Sequence, residues 1–70
     1  MNDFLLSIVV PCYNEAENIA PLLARIEITL KEYSYEVILV NDGSEDETQV
    51  EIELANSMNQ SVSYIRFPRN

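Results

Sequence analysis

At 70 residues the chain is about half the length of a typical domain. A single core of that size supplies no more than ~3–5 kcal/mol without a disulfide, a metal or association. Net charge is −8, from 12 acidic and 4 basic residues, which argues against binding a nucleic-acid backbone or docking on anionic lipid.

The apolar fraction of 47% is that of a folding chain, not a disordered one. There is one cysteine, Cys12, and no histidine. An internal disulfide, a zinc-ligand spacing and a Ser-His-Asp or Cys-His site are therefore excluded. The lone thiol fits a reducing compartment, and a cytoplasmic location is expected. Met1-Asn2-Asp3 carries an acid where a signal peptide carries positive charge, and the first apolar run ends at Pro11. That run is too short for a signal or a membrane span.

Taken in order, residues 4–10 read as a first strand, stopped by Pro11 because proline cannot donate to a ladder. Residues 12–15 form a loop, and a helix is expected over 16–31. Its apolar residues Ile19, Leu22, Leu23, Ile26 and Leu30 make one helical stripe. Asn14 is the expected cap, with Glu15 and Glu17 at the positive end of the dipole and Lys31 in the last turn. Pro21 suits only the first turn, so residues 16–19 are expected to be irregular or 3₁₀.

Val37 to Val40 is an apolar run rich in β-branched residues and without polar alternation, which predicts a strand over 36–40 buried on both faces. Asn41-Asp42-Gly43-Ser44 breaks it, and Gly43 is the only glycine. Ser44 and Glu47 have capping-box spacing. A second helix is expected over 46–58, burying Val50, Leu54 and Met58. Residues 62–67 read as a third strand, ended by Pro68. The order β-α-β-α-β predicts a parallel sheet with strands ordered 1-2-3 and both helices on one face.

In such sheets ligands bind at the carboxyl ends of the strands. Two loops lie there, Pro11 to Glu15 and Asn41 to Ser44. The Tyr13 ring can stack on a nucleobase, and Asp42 can accept from a base N–H or a ribose hydroxyl. Each has a plainer reading beside it. Tyr13 reads equally as a half-buried surface aromatic, Asp42-Gly43 as turn chemistry, and 45–47 as a solvated helix start. Cys12 reads as a small filler. Gly-x-Gly-x-x-Gly and Walker loops are absent.

Ser7-Ile8-Val9-Val10-Pro11-Cys12-Tyr13-Asn14-Glu15-Ala16-Glu17-Asn18-Ile19 resembles the opening of family 2 glycosyltransferases. Val40 to Thr48 resembles that family's second motif, at a fitting distance. Arg66-Phe67-Pro68-Arg69-Asn70 is similar to the third-strand end of its polyprenyl-phosphate branch, which includes bactoprenol glucosyltransferases and dolichol-phosphate mannosyltransferases.

The resemblance covers nearly the whole chain. It implies the amino-terminal half of a Rossmann-like GT-A fold, in an inverting enzyme that uses nucleotide-sugar donors. It implies that Pro11, Tyr13 and Glu15 line the donor nucleotide and that Asp42 contacts the base, with UDP or GDP as the nucleotide. It implies a lipid-phosphate acceptor and a divalent metal, Mg or Mn, in the full-length enzyme at the cytoplasmic face of the membrane. The metal motif, the catalytic base and the acceptor site would lie beyond residue 70, so no catalytic residue or metal ligand is expected in this chain.

Two departures stand out. Asn41 occupies the place of a common aspartate, and Glu47 that of a common glycine, a change expected to be neutral. Two rival readings are a non-catalytic nucleotide- or protein-binding module and a small receiver-type signalling domain. The second wants an acidic pair where this chain has Pro11-Cys12. A half-fold with one bare sheet face and an open first strand is also expected to form a homo-oligomer.

Overall fold

The computed structural model describes residues 6–68. Phe4 and Leu5 of the expected first strand, and Arg69 and Asn70 of the third motif, lie outside the described residues. Five elements alternate: β1 (Leu6–Cys12), α1 (Ala16–Thr29), β2 (Tyr35–Asp42), α2 (Thr48–Met58) and β3 (Val62–Phe67). The strands form one parallel sheet in the order β1-β2-β3. This is the expected α/β, Rossmann-like half.

Register fixes the two faces. Val37 pairs with Ile8 and Val62, and Leu39 with Val10 and Tyr64, so these side chains share one face. On it Val37, Leu39, Cys12 and Val62 are buried, with Ile19 of α1 and Ile52 of α2 packed over them. Both helices therefore lie on this face. The opposite face carries Val9, Pro11, Ile38, Val40, Ile65 and Phe67, with none of the described elements over it. Val9 there is 61% exposed, and Ile65 and Phe67 are also exposed. Ser7 donates to the Glu36 carboxylate at 2.6 Å across the same face.

Several boundaries differ from the sequence expectation. Pro11 does not stop β1, which continues through it to Cys12. Among the described strands β1 is at the edge, with no ladder to satisfy on its outer side, and there a proline is tolerated. β2 is longer than 36–40, because as the central strand it stays paired through Asn41↔Cys12 and Asp42↔Phe67. Helix α1 ends at Thr29, so Lys31 falls outside its last turn. It is regular from Ala16 although Pro21 sits inside it. Pro21 and Glu17 are both exposed, so water can take the carbonyl that the proline leaves without a donor.

The larger correction concerns α2, which starts at Thr48. Val50, Leu54 and Met58 do not enter the core; they are 62%, 52% and 78% exposed. The buried side runs through Thr48 and Ile52 to the half-buried Ala55, at i, i+4 and i+7. Only two apolar residues lie on it, so an apolar count selects the wrong stripe. Asn56 adds a polar tie, its amide donating to the Val62 carbonyl at 2.7 Å.

Cys12 is the filler expected. Its thiol is buried and donates to the Val10 carbonyl at 3.4 Å. Burial pushes its pKa up from the ordinary thiol value, and the Glu15 charge adds to this.

Two outcomes are expected. Ile52→Ala should cost roughly 2–5 kcal/mol, enough to unfold much of so small a domain. Val50→Ala should stay within ~0.5 kcal/mol. Urea unfolding followed by circular dichroism compares them, and equal losses would put the core on the wrong face of α2. Cys12 should react with iodoacetamide at pH 7 more than roughly tenfold more slowly in the folded chain than in urea. Equal rates would mean that the thiol is not buried.

Candidate functional site at the carboxyl ends of the strands

Cys12 and Asn41 are paired neighbours at the carboxyl end of the sheet. The next residue along each strand, Tyr13 and Asp42, therefore stands at the same level on that edge. Tyr13 is 53% exposed and Asp42 is exposed, so both are open to a ligand. Pro11 is exposed two positions before Tyr13, on the bare face. Phe67 pairs with Asp42 and adds a second exposed aromatic to this edge. Gly43, at φ +73°, lets the chain turn away directly after the carboxylate.

Glu15 is placed differently. It stands at the start of α1, half-buried, and its carboxylate accepts from the Asn18 side chain at 2.8 Å. It is thus already engaged, on the helix side of the edge. Pro11 and Asp42 thus lie in the paired part of the sheet, Tyr13 directly after it, and Glu15 at the start of α1.

The two loops are bolted to each other by side chains. The Asn14 N–H donates to Ser44 Oγ at 3.0 Å, and the Glu15 N–H to Thr48 Oγ1 at 2.8 Å. The Ala16 N–H reaches Asp46 Oδ2 at 3.4 Å. In return, the Glu45 N–H donates to Asn14 Oδ1 at 2.8 Å. Asp46 Oδ1 also takes the Thr48 N–H at 2.9 Å and the Thr48 hydroxyl.

These bonds satisfy amides at the start of both helices that have no partner within their own helix. Neither helix has a side-chain bond from its own capping residue. So Asn14 does not cap α1: at φ +52° it turns its amide oxygen onto the other loop. Nor do Ser44 and Glu47 form a capping box, since Ser44 Oγ serves Asn14. Asp46 is no merely solvated acid. Its carboxyl is held below the usual aspartate range, first by the Thr48 hydroxyl and also by the N–H groups of Thr48 and Ala16. It is therefore ionised at neutral pH and acts as an acceptor only.

Asn41 gains a physical reason. It is buried, its Oδ1 accepts from the Ser44 N–H at 3.0 Å, and its Nδ2 donates to Gln49 Oε1 at 2.7 Å. Gln49 in turn donates to the Glu53 carboxylate at 2.8 Å. This chain of bonds needs a donor at position 41, which an ionised aspartate lacks. Glu47 has φ −85°, where no glycine is required.

Two hollows lie on the helix side, one at this edge and one running toward the opposite end of the sheet. A polar one between the helix starts is lined by Asn14, Ala16, Glu17, Asn18, Asp46 and Glu47. Its three carboxylates oppose a phosphate, although helix amides surround it. The other is an apolar groove between α1 and α2, lined in part by Leu23, Leu54, Ala55 and Met58. Pro11, Tyr13 and Asp42 line neither. Among the described residues no three acidic or cysteine side chains are grouped closely enough to hold a metal ion. Nor is any helix among them long and apolar enough to cross a membrane.

The comparisons with known proteins agree with the motifs. The profile of glycosyl transferase family 2 matches residues 7–70. An uncharacterized glycosyltransferase of Synechocystis is 39% identical over 67 residues, covering 93% of this chain and 21% of that protein. The dolichol-phosphate mannosyltransferase of Pyrococcus furiosus is 42% identical over 43 residues, 61% of this chain and 12% of that protein. The undecaprenyl-phosphate 4-deoxy-4-formamido-L-arabinose transferase of Pseudomonas fluorescens is 51% identical over 43 residues, 59% of this chain and 13% of its own length. The chain thus spans about a fifth of the relatives that it matches along most of its length. With a family profile that covers nearly all of it, this chain belongs to glycosyl transferase family 2.

Proposed function

We propose that this chain forms part of the donor-nucleotide site of an inverting glycosyltransferase that moves a sugar from a UDP- or GDP-sugar to a polyprenyl phosphate. The observation that carries the reading is that Cys12 and Asn41 are register partners at the carboxyl edge, so that exposed Tyr13 and Asp42 each follow directly from that pair, within a family 2 chain. Relatives named for dolichol-phosphate and undecaprenyl-phosphate transfer support the acceptor class.

In this reading Tyr13 stacks on the base, Asp42 accepts from a base N–H or a ribose hydroxyl, and Pro11 shapes the floor. Glu15 contributes at the margin, through the start of α1. The described residues do not fit a divalent metal, so a Mg or Mn ion that screens the donor diphosphate would be held by other residues of the full-length enzyme. The same holds for the base that activates the acceptor. The full-length enzyme would work at the cytoplasmic face of a membrane, where polyprenyl phosphate is met.

The isolated chain should bind UDP or GDP with a millimolar constant, on the order of −4 kcal/mol. It should transfer no sugar. Chemical shifts of residues 10–16 and 40–46 should move on titration, and Asp42→Ala should abolish the response. Shifts confined to other residues, or protein-dependent turnover, would contradict the reading. Binding that survives Asp42→Ala would favour a nucleotide-binding module of another kind.

We also infer that the chain associates, most simply as a two-fold dimer, through the bare face or through the open edge of β1. Burying ~400 Å² of apolar surface per chain contributes on the order of 10 kcal/mol. Loss of association entropy, ~4–15 kcal/mol, opposes it. The charge of −8 per chain adds repulsion that salt screens. Sedimentation at micromolar concentration should show association that strengthens with salt. A well-folded monomer throughout that range would contradict it.

A further inference from the structure

We propose that Asp46 and Thr48 are positioning residues that lock the Tyr13 loop against the Asp42 loop, so that the two halves of the nucleoside site are held in register before a ligand arrives. The proposal deepens the donor-site reading and rests on it for its functional meaning. The lock itself is a property of the free chain.

The geometry is specific. Thr48 is fully buried although polar, at the first position of α2. Its hydroxyl has one proton and must use it once. It donates that proton to Asp46 Oδ1, and its lone pair accepts the Glu15 N–H. Asp46 holds Thr48 through Oδ1 and reaches Ala16 through Oδ2. The bonds thus run from loop two to three successive amides, Asn14, Glu15 and Ala16, when Ser44 is included. Those amides follow Tyr13 directly. A ring attached to a free loop loses orientational entropy on stacking; one attached to a locked loop has lost it already.

Neither Asp46 nor Thr48 lines the exposed edge that carries Tyr13 and Asp42. Their effect on a nucleotide would therefore be indirect. A merely structural role predicts something different: loss of stability spread over the sheet, with binding weakened only as far as the chain unfolds.

The test compares Thr48→Val, Thr48→Ser and Asp46→Asn in the 70-residue chain, using amide hydrogen exchange and UDP titration. Valine keeps the volume and removes the hydroxyl; serine keeps the hydroxyl. Thr48→Val should speed exchange at the Glu15 and Ala16 amides by roughly tenfold, and Asp46→Asn should speed it in the same direction. Thr48→Ser should restore protection. Exchange at Val37 and Leu39 in the central strand should stay within about twofold of the parent. UDP binding should weaken in Thr48→Val and recover in Thr48→Ser.

Unchanged exchange at Glu15 and Ala16 in Thr48→Val would overturn the lock. So would loss of protection that extends equally to Val37 and Leu39 in both Thr48→Val and Asp46→Asn. Normal UDP binding by a Thr48→Val chain with fast Glu15 exchange would overturn the positioning role. If the parent chain binds neither UDP nor GDP, the donor-site reading fails, and the lock is then decided by exchange alone.

Discussion

The structure turns on one buried hydroxyl. Thr48 sits where an apolar residue would be the default, at the point where α2 meets the start of α1. Burying a hydroxyl without partners is costly, and this one has two: the Asp46 carboxylate and the Glu15 N–H. The constraint follows from topology. Two consecutive crossovers in a parallel 1-2-3 sheet bring both helices to one face, with both amino termini at the carboxyl edge. Unsatisfied amides therefore collect in one place. Each loop satisfies amides of the other, and the edge becomes a single cross-linked unit.

That arrangement also sorts the chemistry. Acids gather between the helix starts, where Glu17, Asp46 and Glu47 line a hollow unsuited to a phosphate. Asp42 and exposed Phe67 lie on the uncovered sheet face at the same edge, where exposed Tyr13 follows β1. A nucleoside has a π-face and hydrogen-bonding edges but little charge, and it suits the sheet side. Its diphosphate would have to point away from the helix starts. In the proposed reading the segment would recognise base and ribose, and charge screening would fall to other residues of the full-length enzyme.

The sheet was legible because its strands are short apolar runs separated by polar loops and helical patterns, although β1 runs through Pro11 and β2 through Asn41 and Asp42. Strand order followed from alternation alone, and Val62–Phe67 matched to the residue. The places of Tyr13 and Asp42 at the carboxyl edge were legible for the same reason: Tyr13 directly follows β1 and Asp42 is the last residue of β2. The second helix was harder. Val50, Leu54 and Met58 form the better apolar stripe, yet Thr48, Ile52 and Ala55 face the sheet. A polar residue that starts a helix reads as a cap, and only the distant partner Glu15 reveals it as part of the core. The cross-loop bonds join residues about thirty apart in sequence, a range beyond local pattern. One local signal was available: Asn14 directly before Glu15, a residue type that tolerates positive φ.

The central claim is that a nucleoside lies on the sheet side of the carboxyl edge, against Tyr13. Intermolecular nuclear Overhauser effects between UDP and the selectively labelled chain test it most directly. The account predicts cross-peaks from the uracil protons to the Tyr13 ring, and none to Leu23, Leu54 or Met58 in the groove between the helices. Cross-peaks to those groove residues, with the Tyr13 ring silent, would contradict it.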